Sequence, residues 1–352
     1  MTVPAWQLNC PVEFDESSDR ITLAHGEGAR LTRRLIDEQI CPRFSSLPLG
    51  ALPDAAHLNT TGRRIAVTTD SFVVSPLFFP GGDIGSLAVH GTVNDLAVSG
   101  AVPKWITLSL ILEEGLPIPI LSRVLDSVAR AAAECCVEVV AGDTKVVPRG
   151  AADGMFLNTT GIGELIDPVP PGPQAIEPGD VVLISGPIGR HGIAVLCARE
   201  ELAFDPPPES DAASLIDVVA MLRDSAGTKL RAVRDATRGG VSAVLHEWAA
   251  ACGHSFQLTE SQLPVSRDVR GASELLGLDP LHIACEGVLV AAIAPEASEA
   301  AVAGLRSLPM STHAASVGTA GTSQLSSVTI QRTLGQRQPV DEPTGALLPR
   351  IC

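Results

Sequence analysis

The chain ends in Pro349-Arg350-Ile351-Cys352, and a cysteine as the final residue is a soft nucleophile on a tether. Thiolates attack carbonyl carbon and carry acyl-type groups as thioesters. The N-terminal half holds an acidic, glycine-rich set: Asp70 closing RIAVTTD, Asp83 in FPGGDIG, Asn94-Asp95 in HGTVNDLAVSG, and Asp143 in AGDTK. Taken singly, each aspartate reads as a turn or cap residue. Four at loop positions beside glycine point instead to one cleft whose mutual repulsion is relieved by cations. Hard oxygen donors of this kind suit Mg2+, and Mg2+ in this setting suits a nucleoside triphosphate.

Four further segments could serve that chemistry. Lys145, two residues after Asp143, can neutralise phosphate oxygens or developing charge, or is a solvated surface lysine. Gly26 and Gly28 in LAHGEGAR could bring backbone amides to phosphates, although no P-loop GxxxxGK[ST] occurs anywhere in the chain. Asp235 and Arg238 in RDATRGGV flank a Gly-Gly turn before a helix, which suits either anion binding or a capped helix with an ion pair. Glu286, in HIACEGVLV, precedes a glycine and a buried strand. Facing a dry cleft it would have the raised proton affinity of a general base; the alternative is an exposed turn glutamate. The histidines form no HxxxH or HExxH pair, so no zinc site is expected.

These residues need elements to position them. Residues 64–70 read as a strand ending on Asp70, 86–100 as a helix, and 105–112 as a buried-type strand. An amphipathic helix over 121–136 leads into a strand over 137–142 that opens into GDTK, and 155–165 is a further strand. DPVPPGPQAIEPGD (167–180) holds five prolines and reads as a linker between domains. Beyond it, 180–186 is a strand followed by a glycine-rich turn and a helix. Helices are expected near 212–224, 240–252 and 268–276, and strands near 287–293 and 325–333. The expected organisation is an N-terminal extension (1–40, with a short helix in 31–40), a nucleotide-binding domain (41–168), a C-terminal domain (175–338) and a mobile tail (339–352).

Composition narrows the partners. The 352 residues carry 40 acidic and 25 basic side chains, a formal charge of −15, which argues against nucleic acid and anionic membrane surfaces. Apolar residues make up 45% and aromatics only 3%, with no tyrosine, so small aliphatic side chains must pack an α/β core. No signal-peptide pattern and no apolar run of membrane-spanning length is visible, which reads as cytoplasmic. The eight cysteines form no CxxC pair, and adjacent Cys135 and Cys136 read as reduced and buried in a helix.

Read in order, TTDSFVVSPLFFPGGDIG, HGTVNDLAVSGA, LEEGLP, AGDTKVVPRGAADG, DATRGGV, HEWAAACG, the CEG around Glu286 and the terminal PRIC resemble the HypE family of hydrogenase maturation proteins, from about residue 21 to the end. The wider group is the ATP-binding superfamily of aminoimidazole ribonucleotide synthetase, selenophosphate synthetase and thiamine-monophosphate kinase. The resemblance implies an α/β (α+β) two-domain fold of the PurM/AIR-synthetase type, a homodimer pairing its N-terminal sheet across the axis, and a C-terminal α/β domain. It implies an enzyme: the carbamoyltransferase HypF loads a carbamoyl group onto the terminal cysteine, ATP-dependent dehydration makes a thiocyanate, and cyanide passes to iron on HypC–HypD for NiFe hydrogenase. Carried over by position, Cys352 is the carrier and Asp70, Asp83, Asp95 and Asp143 are the Mg2+–ATP set. Lys145 and Glu286 form the catalytic pair, with Glu286 the base; Asn94 and Arg238 support. Two positions depart from the family pattern: Cys285 stands where asparagine is usual, and Ala29 where a third glycine is usual. The rival readings are a small-molecule kinase or synthetase of the same superfamily, which would have no use for Cys352, and a non-catalytic ATP-binding scaffold.

Overall fold

In β7 (Met155–Leu165) buried and half-buried residues alternate, the period-two signature of a sheet covered on one face and open on the other. The computed structural model describes residues 30–35, 37–38, 55–322, 326–343, 348 and 350–352; Gly26, Gly28 and Ala29 lie outside the described residues. In chain order α1 (Arg30–Leu35) comes first and packs on the second unit, where Arg33 pairs with Glu247 and Glu342; the first unit contains β1 (Ala56–Thr60), β2 (Arg63–Phe72), β3 (Phe78–Phe79), β4 (Gly82–Asp83), α2 (Ile84–Val98), β5 (Ala101–Glu113), α3 (Ile118–Glu134), β6 (Glu138–Val147) and β7. Among the described residues its sheet has the order β1-β2-β7-β5-β6, antiparallel except for the β5/β6 pair. The side chains of α2 are buried on nearly every side, including Thr92 and Asn94. The helix lies on the covered face of this sheet, beneath α3.

The second unit follows with β8 (Val181–Ile184), α4 (Arg190–Arg199), α5 (Ile216–Ala226), β9 (Leu230–Asp235), α6 (Gly240–Cys252), β10 (Ser255–Thr259), α7 (Arg267–Leu276), β11 (Leu289–Ile293), α8 (Pro295–Arg306), β12 (Ala315–Gly321), β13 (Val328–Gln331) and β14 (Arg337–Pro339). Its seven-stranded sheet runs β14-β13-β10-β12-β8-β11-β9. Trp248 and Val244 of α6 pack one face with Phe256 and Val290; Val218, Leu222 and Leu305 from α5 and α8 pack the other with Leu183 and Ala291. β11 is buried along its whole length for that reason. α5 and β9 also pack on α2, so the two sheets meet through that helix.

Several local expectations change. The strand expected to end at 142 runs on to Val147, so Asp143 and Lys145 stand within an edge strand rather than on a loop after it. An edge strand with no helix over it tolerates polar residues, and Gly142 is required by its approach to Leu108: a Cβ there would meet the Leu108 carbonyl oxygen at 2.4 Å. β5 is not a fully buried strand, because its open face leaves Trp105 and Ile111 exposed. Cys135 is buried at the end of α3, but Cys136 is exposed, with φ of 54° just past the helix. β9, β10, β12 and α8 are not anticipated by the periodicity. No helix among the described residues is long and apolar enough to cross a membrane.

Candidate active site

Glu286 sits in the turn before β11 with 3% of its surface exposed, and its Oε1 has no hydrogen-bond partner. It is a buried carboxylate, not an exposed turn residue. Burial above all, then the neighbouring carboxylates of Asp235 and Asp211, push its pKa well above the ordinary value; Asp70 adds to this and the Arg238 guanidinium opposes it. Its proton affinity is therefore raised.

Asp211 completes this turn and carries no motif of its own. It is half-buried, its pKa is raised to about 6 chiefly by desolvation, and its oxygens accept the backbone N–H groups of Glu286 and Gly287, each at 3.3 Å. Gly287 must be glycine, since a Cβ would lie 1.9 Å from the Asp211 carbonyl oxygen. Cys285, in the position where asparagine is usual, accepts the Gly189 N–H at 3.1 Å and so ties the turn before α4 to the Glu286 turn. Burial first, then Asp211, raise its thiol pKa well above the ordinary value, so it is a packing residue and not a nucleophile.

The structure brings some of the sequence-selected residues together and separates others. Asp70 lies on β2 opposite Thr159, on the covered face, and accepts from the Thr92 hydroxyl of α2 at 3.2 Å. Asp95 accepts from Thr68 at 2.7 Å on the same face. Asp83 caps α2, accepting the N–H groups of Gly85 and Ser86 at 2.8 and 3.0 Å. It is twelve residues from Asp95, about 18 Å along the helix axis. Asn94 spends its amide on the second unit: Nδ2 donates to the carbonyls of Ala213 and Glu286, and Oδ1 accepts the Leu215 N–H. It holds the Glu286 turn against α2. Asp143 pairs in register with Ser109, which pairs with Asn158 on the open face of β7, so Asp143 and Lys145 point away from Asp70. They bind each other at 2.7 Å with side chains 62% and 70% exposed. That contact first, then the Thr144 N–H, lowers the Asp143 pKa. Among the described residues no three carboxylate, histidine or cysteine groups close on a common metal-binding point.

The end of the chain lies in the cleft between the two units. Cys352 packs on a cluster that includes Phe72, Ile283 and Ala284, two residues from Glu286, and its carbonyl accepts the Val73 N–H at 3.1 Å, three residues beyond Asp70. Ile351 is buried, and its carbonyl accepts from Nε2 of the fully buried His191 on α4. The Arg350 carbonyl accepts from the Ser75 N–H and from Arg199, and the Arg350 side chain pairs with Asp153. His191 and Arg199 escaped notice in the sequence; the glycines at 189 and 192 around GRHG are the one local sign of a special turn there.

Residues 53–165 match the family described as AIR synthase related protein, N-terminal domain, and residues 177–331 the corresponding C-terminal domain. The chain is 44% identical over 340 residues to the carbamoyl dehydratase HypE of Rhizobium leguminosarum bv. viciae, covering 97% of each chain. It is 44% identical over 339 residues to that of Escherichia coli K12, covering 95% of this chain and 100% of the relative. Among solved structures, a HypE from a HypE–HypF complex superposes with a TM-score of 0.83 at 44% identity, over 88% of this chain and 99% of that one. A HypE in complex with ATP does so with 0.78 at 44% identity, over 94% and 100%. A thiamine monophosphate kinase from Aquifex aeolicus, at 20% identity and TM-score 0.63 over 88% of this chain and 99% of that one, shares the two-domain fold.

Proposed function

Since the chain belongs to the HypE family of carbamoyl dehydratases, we infer that it uses ATP to dehydrate a carbamoyl group carried on its own Cys352 to a thiocyanate, the source of cyanide for the iron of a NiFe hydrogenase centre. The observation that carries this reading is the docking of Cys352 on Val73 and against Phe72 and Ala284, in the segments of chain that carry Asp70 and the buried Glu286. A kinase of small molecules would have no use for a terminal cysteine in that place.

The chemistry accounts for the residue types. An S-carbamoyl group does not lose its oxygen directly, because hydroxide is a poor leaving group. The carbonyl oxygen takes the γ-phosphoryl group of ATP and ADP departs. Phosphate then leaves with the C–O electron pair while both N–H protons are removed, giving the S–C≡N group. Glu286, desolvated and surrounded by carboxylates, is the base that receives a proton from that nitrogen. Arg238 faces it with the balancing charge.

The site is rich in negative charge: Asp70, Asp211 and Asp235 act on Glu286, opposed by Arg238, and Arg190 acts on Asp211. Such a donor set fits Mg2+, which takes one or two carboxylates and completes its shell with phosphate oxygens and water. Asp70 and Asp95 would hold it on the covered face, where the ion would neutralise the triphosphate; Asp83, a helix length from Asp95, lies too far along the axis to share that ion. Asp143 and Lys145 reach such a site only from the open side. We therefore assign them to a homodimer in which the exposed β6 edge, with Val139, Val140 and Val146 uncovered, meets a second copy. A basis for partner exchange follows from the tail: a carbamoyltransferase of the HypF kind loads Cys352 when the tail is out, and an iron-bearing HypC–HypD complex receives cyanide from it. The division into units at 41–168 and 175–338, with the carrier tail from 339, serves this cycle.

Mass spectrometry tests the reading. Protein incubated with the carbamoyltransferase, carbamoyl phosphate and ATP gains a carbamoyl adduct on Cys352, which then loses the mass of water only with Mg-ATP present. An unmodified tail, or loss without ATP, overturns it.

A further inference from the structure

The last three carbonyls of the chain are each held by a different donor. The Arg350 carbonyl takes the Ser75 N–H at 3.2 Å and the Arg199 guanidinium, which also donates to the Ser75 carbonyl at 2.9 Å. The Cys352 carbonyl takes the Val73 N–H. Between them the Ile351 carbonyl meets Nε2 of His191. A carbonyl only accepts, so Nε2 carries the proton; Nδ1 is then the acceptor for the Ser210 hydroxyl at 2.8 Å. Ser210 Oγ in turn accepts the Ala212 N–H at 3.0 Å, which leaves its own proton for the imidazole. The ring stands edge-on to Phe79, 5.4 Å between centroids, and is walled from solvent. Every group around His191 thus selects one tautomer and one orientation.

We propose that His191 is the positioning residue that seats the carrier tail for dehydration, holding the Ile351 carbonyl through an Nε2–H whose tautomer is set by Ser210. The proposal rests on Cys352 being the carrier. Its logic is that the grips are all on backbone. The sulfur changes substituent through the cycle, from thiol to carbamoyl to thiocyanate, and none of these alters what His191, Arg199 and Val73 hold. The segment after Ser210 continues the connection: Asp211 fixes the Glu286 turn, and Asn94 fixes both. Ser210, which sets the tautomer of His191, and Asp211, which fixes the Glu286 turn, are neighbours in the chain. Docking is also reversible by construction. Arg350 is held at φ of 59°, in the left-handed region that a non-glycine residue enters at a cost, so the seated tail is kept in place by exchangeable hydrogen bonds against local strain.

The test uses the full-length protein with its carbamoyltransferase. In His191→Ala, carbamoyl loading of Cys352 proceeds, single-turnover water loss with Mg-ATP slows about 100-fold, and iodoacetamide labelling of the Cys352 peptide in the unloaded protein accelerates. His191→Gln, which can return a donor to the Ile351 carbonyl, recovers part of the rate. Ser210→Ala, a milder change, shows the same labelling and rate effects if His191→Ala does not fold. Water loss at the wild-type rate in both His191→Ala and Ser210→Ala overturns the proposal. Slow water loss with unchanged Cys352 labelling overturns it too, since the defect then does not act through the tail. A wild-type Cys352 that never gains or loses the carbamoyl group overturns the carrier reading instead, and the labelling rates still report whether His191 holds the tail.

Discussion

Asp211 receives the N–H groups of both Glu286 and Gly287, and so one half-buried carboxylate fixes the turn that presents a buried one. The arrangement does two things at once. It satisfies two buried donors, and it places a negative charge beside Glu286 that raises its proton affinity.

Asp211→Asn presents an N–H2 group to one of those donors. The expected result is a loss of about 1–3 kcal/mol of stability, from one buried N–H left unpaired, and slower water loss from carbamoylated Cys352. Thermal denaturation and single-turnover mass spectrometry measure the two. Gly287→Ala is more severe, because its Cβ would overlap the Asp211 backbone, and yields little folded protein in a solubility assay.

Glu286→Gln keeps the volume and removes the carboxylate proposed as the base. The chain folds, Cys352 is still loaded, and water loss falls by about 100-fold to 10,000-fold. Normal water loss in this variant would exclude Glu286 as the base.

His191 and Asp211 give stability opposite dependences on pH. The His191 pKa is lowered to about 4, mainly by burial, from 6.5. Between those values the unfolded chain binds the proton and the folded one does not, so this contribution is full above about pH 6.5 and is lost as pH falls toward 4. The Asp211 pKa is raised to about 6 from 3.8. There the folded chain binds the proton more tightly, so its contribution is full below about pH 3.8 and is lost as pH rises toward 6. Urea midpoints between pH 4 and 7 separate them: His191→Gln flattens the loss on the acid side, and Asp211→Asn flattens the opposing slope. An unchanged pH profile in His191→Gln would show that the imidazole is not held uncharged.

Val140→Glu tests the exposed edge. Surface substitutions of this kind change stability by less than about 0.5 kcal/mol, yet a charge on β6 opposes pairing with a second copy. Light scattering is expected to show a smaller assembly, with ATP-dependent water loss reduced if Asp143 and Lys145 act across the proposed dimer. A variant that stays the same size would remove β6 from the interface.

What the sequence determined by itself was the chemistry and the family: Cys352 at the end, Glu286 before a glycine, the aspartates beside turns, and the strands and helices whose period is written in consecutive residues. Those signals are local, and local signals survive in one dimension. The tertiary structure decided which of them meet. Asp143 and Lys145, like Asp70, stand in a segment that reads as a strand and its end, but the pleat sends alternate residues to opposite faces, and β6 continues through them, so they look outward. Asp95 and Asp83 share one helix and are parted by its length. Asp211, Ser210 and His191 carry no motif, and their roles arise from contacts with residues 75 and 160 positions away in the chain. The proton affinity of a buried group is set by what surrounds it in space, and packing between distant segments supplies those surroundings.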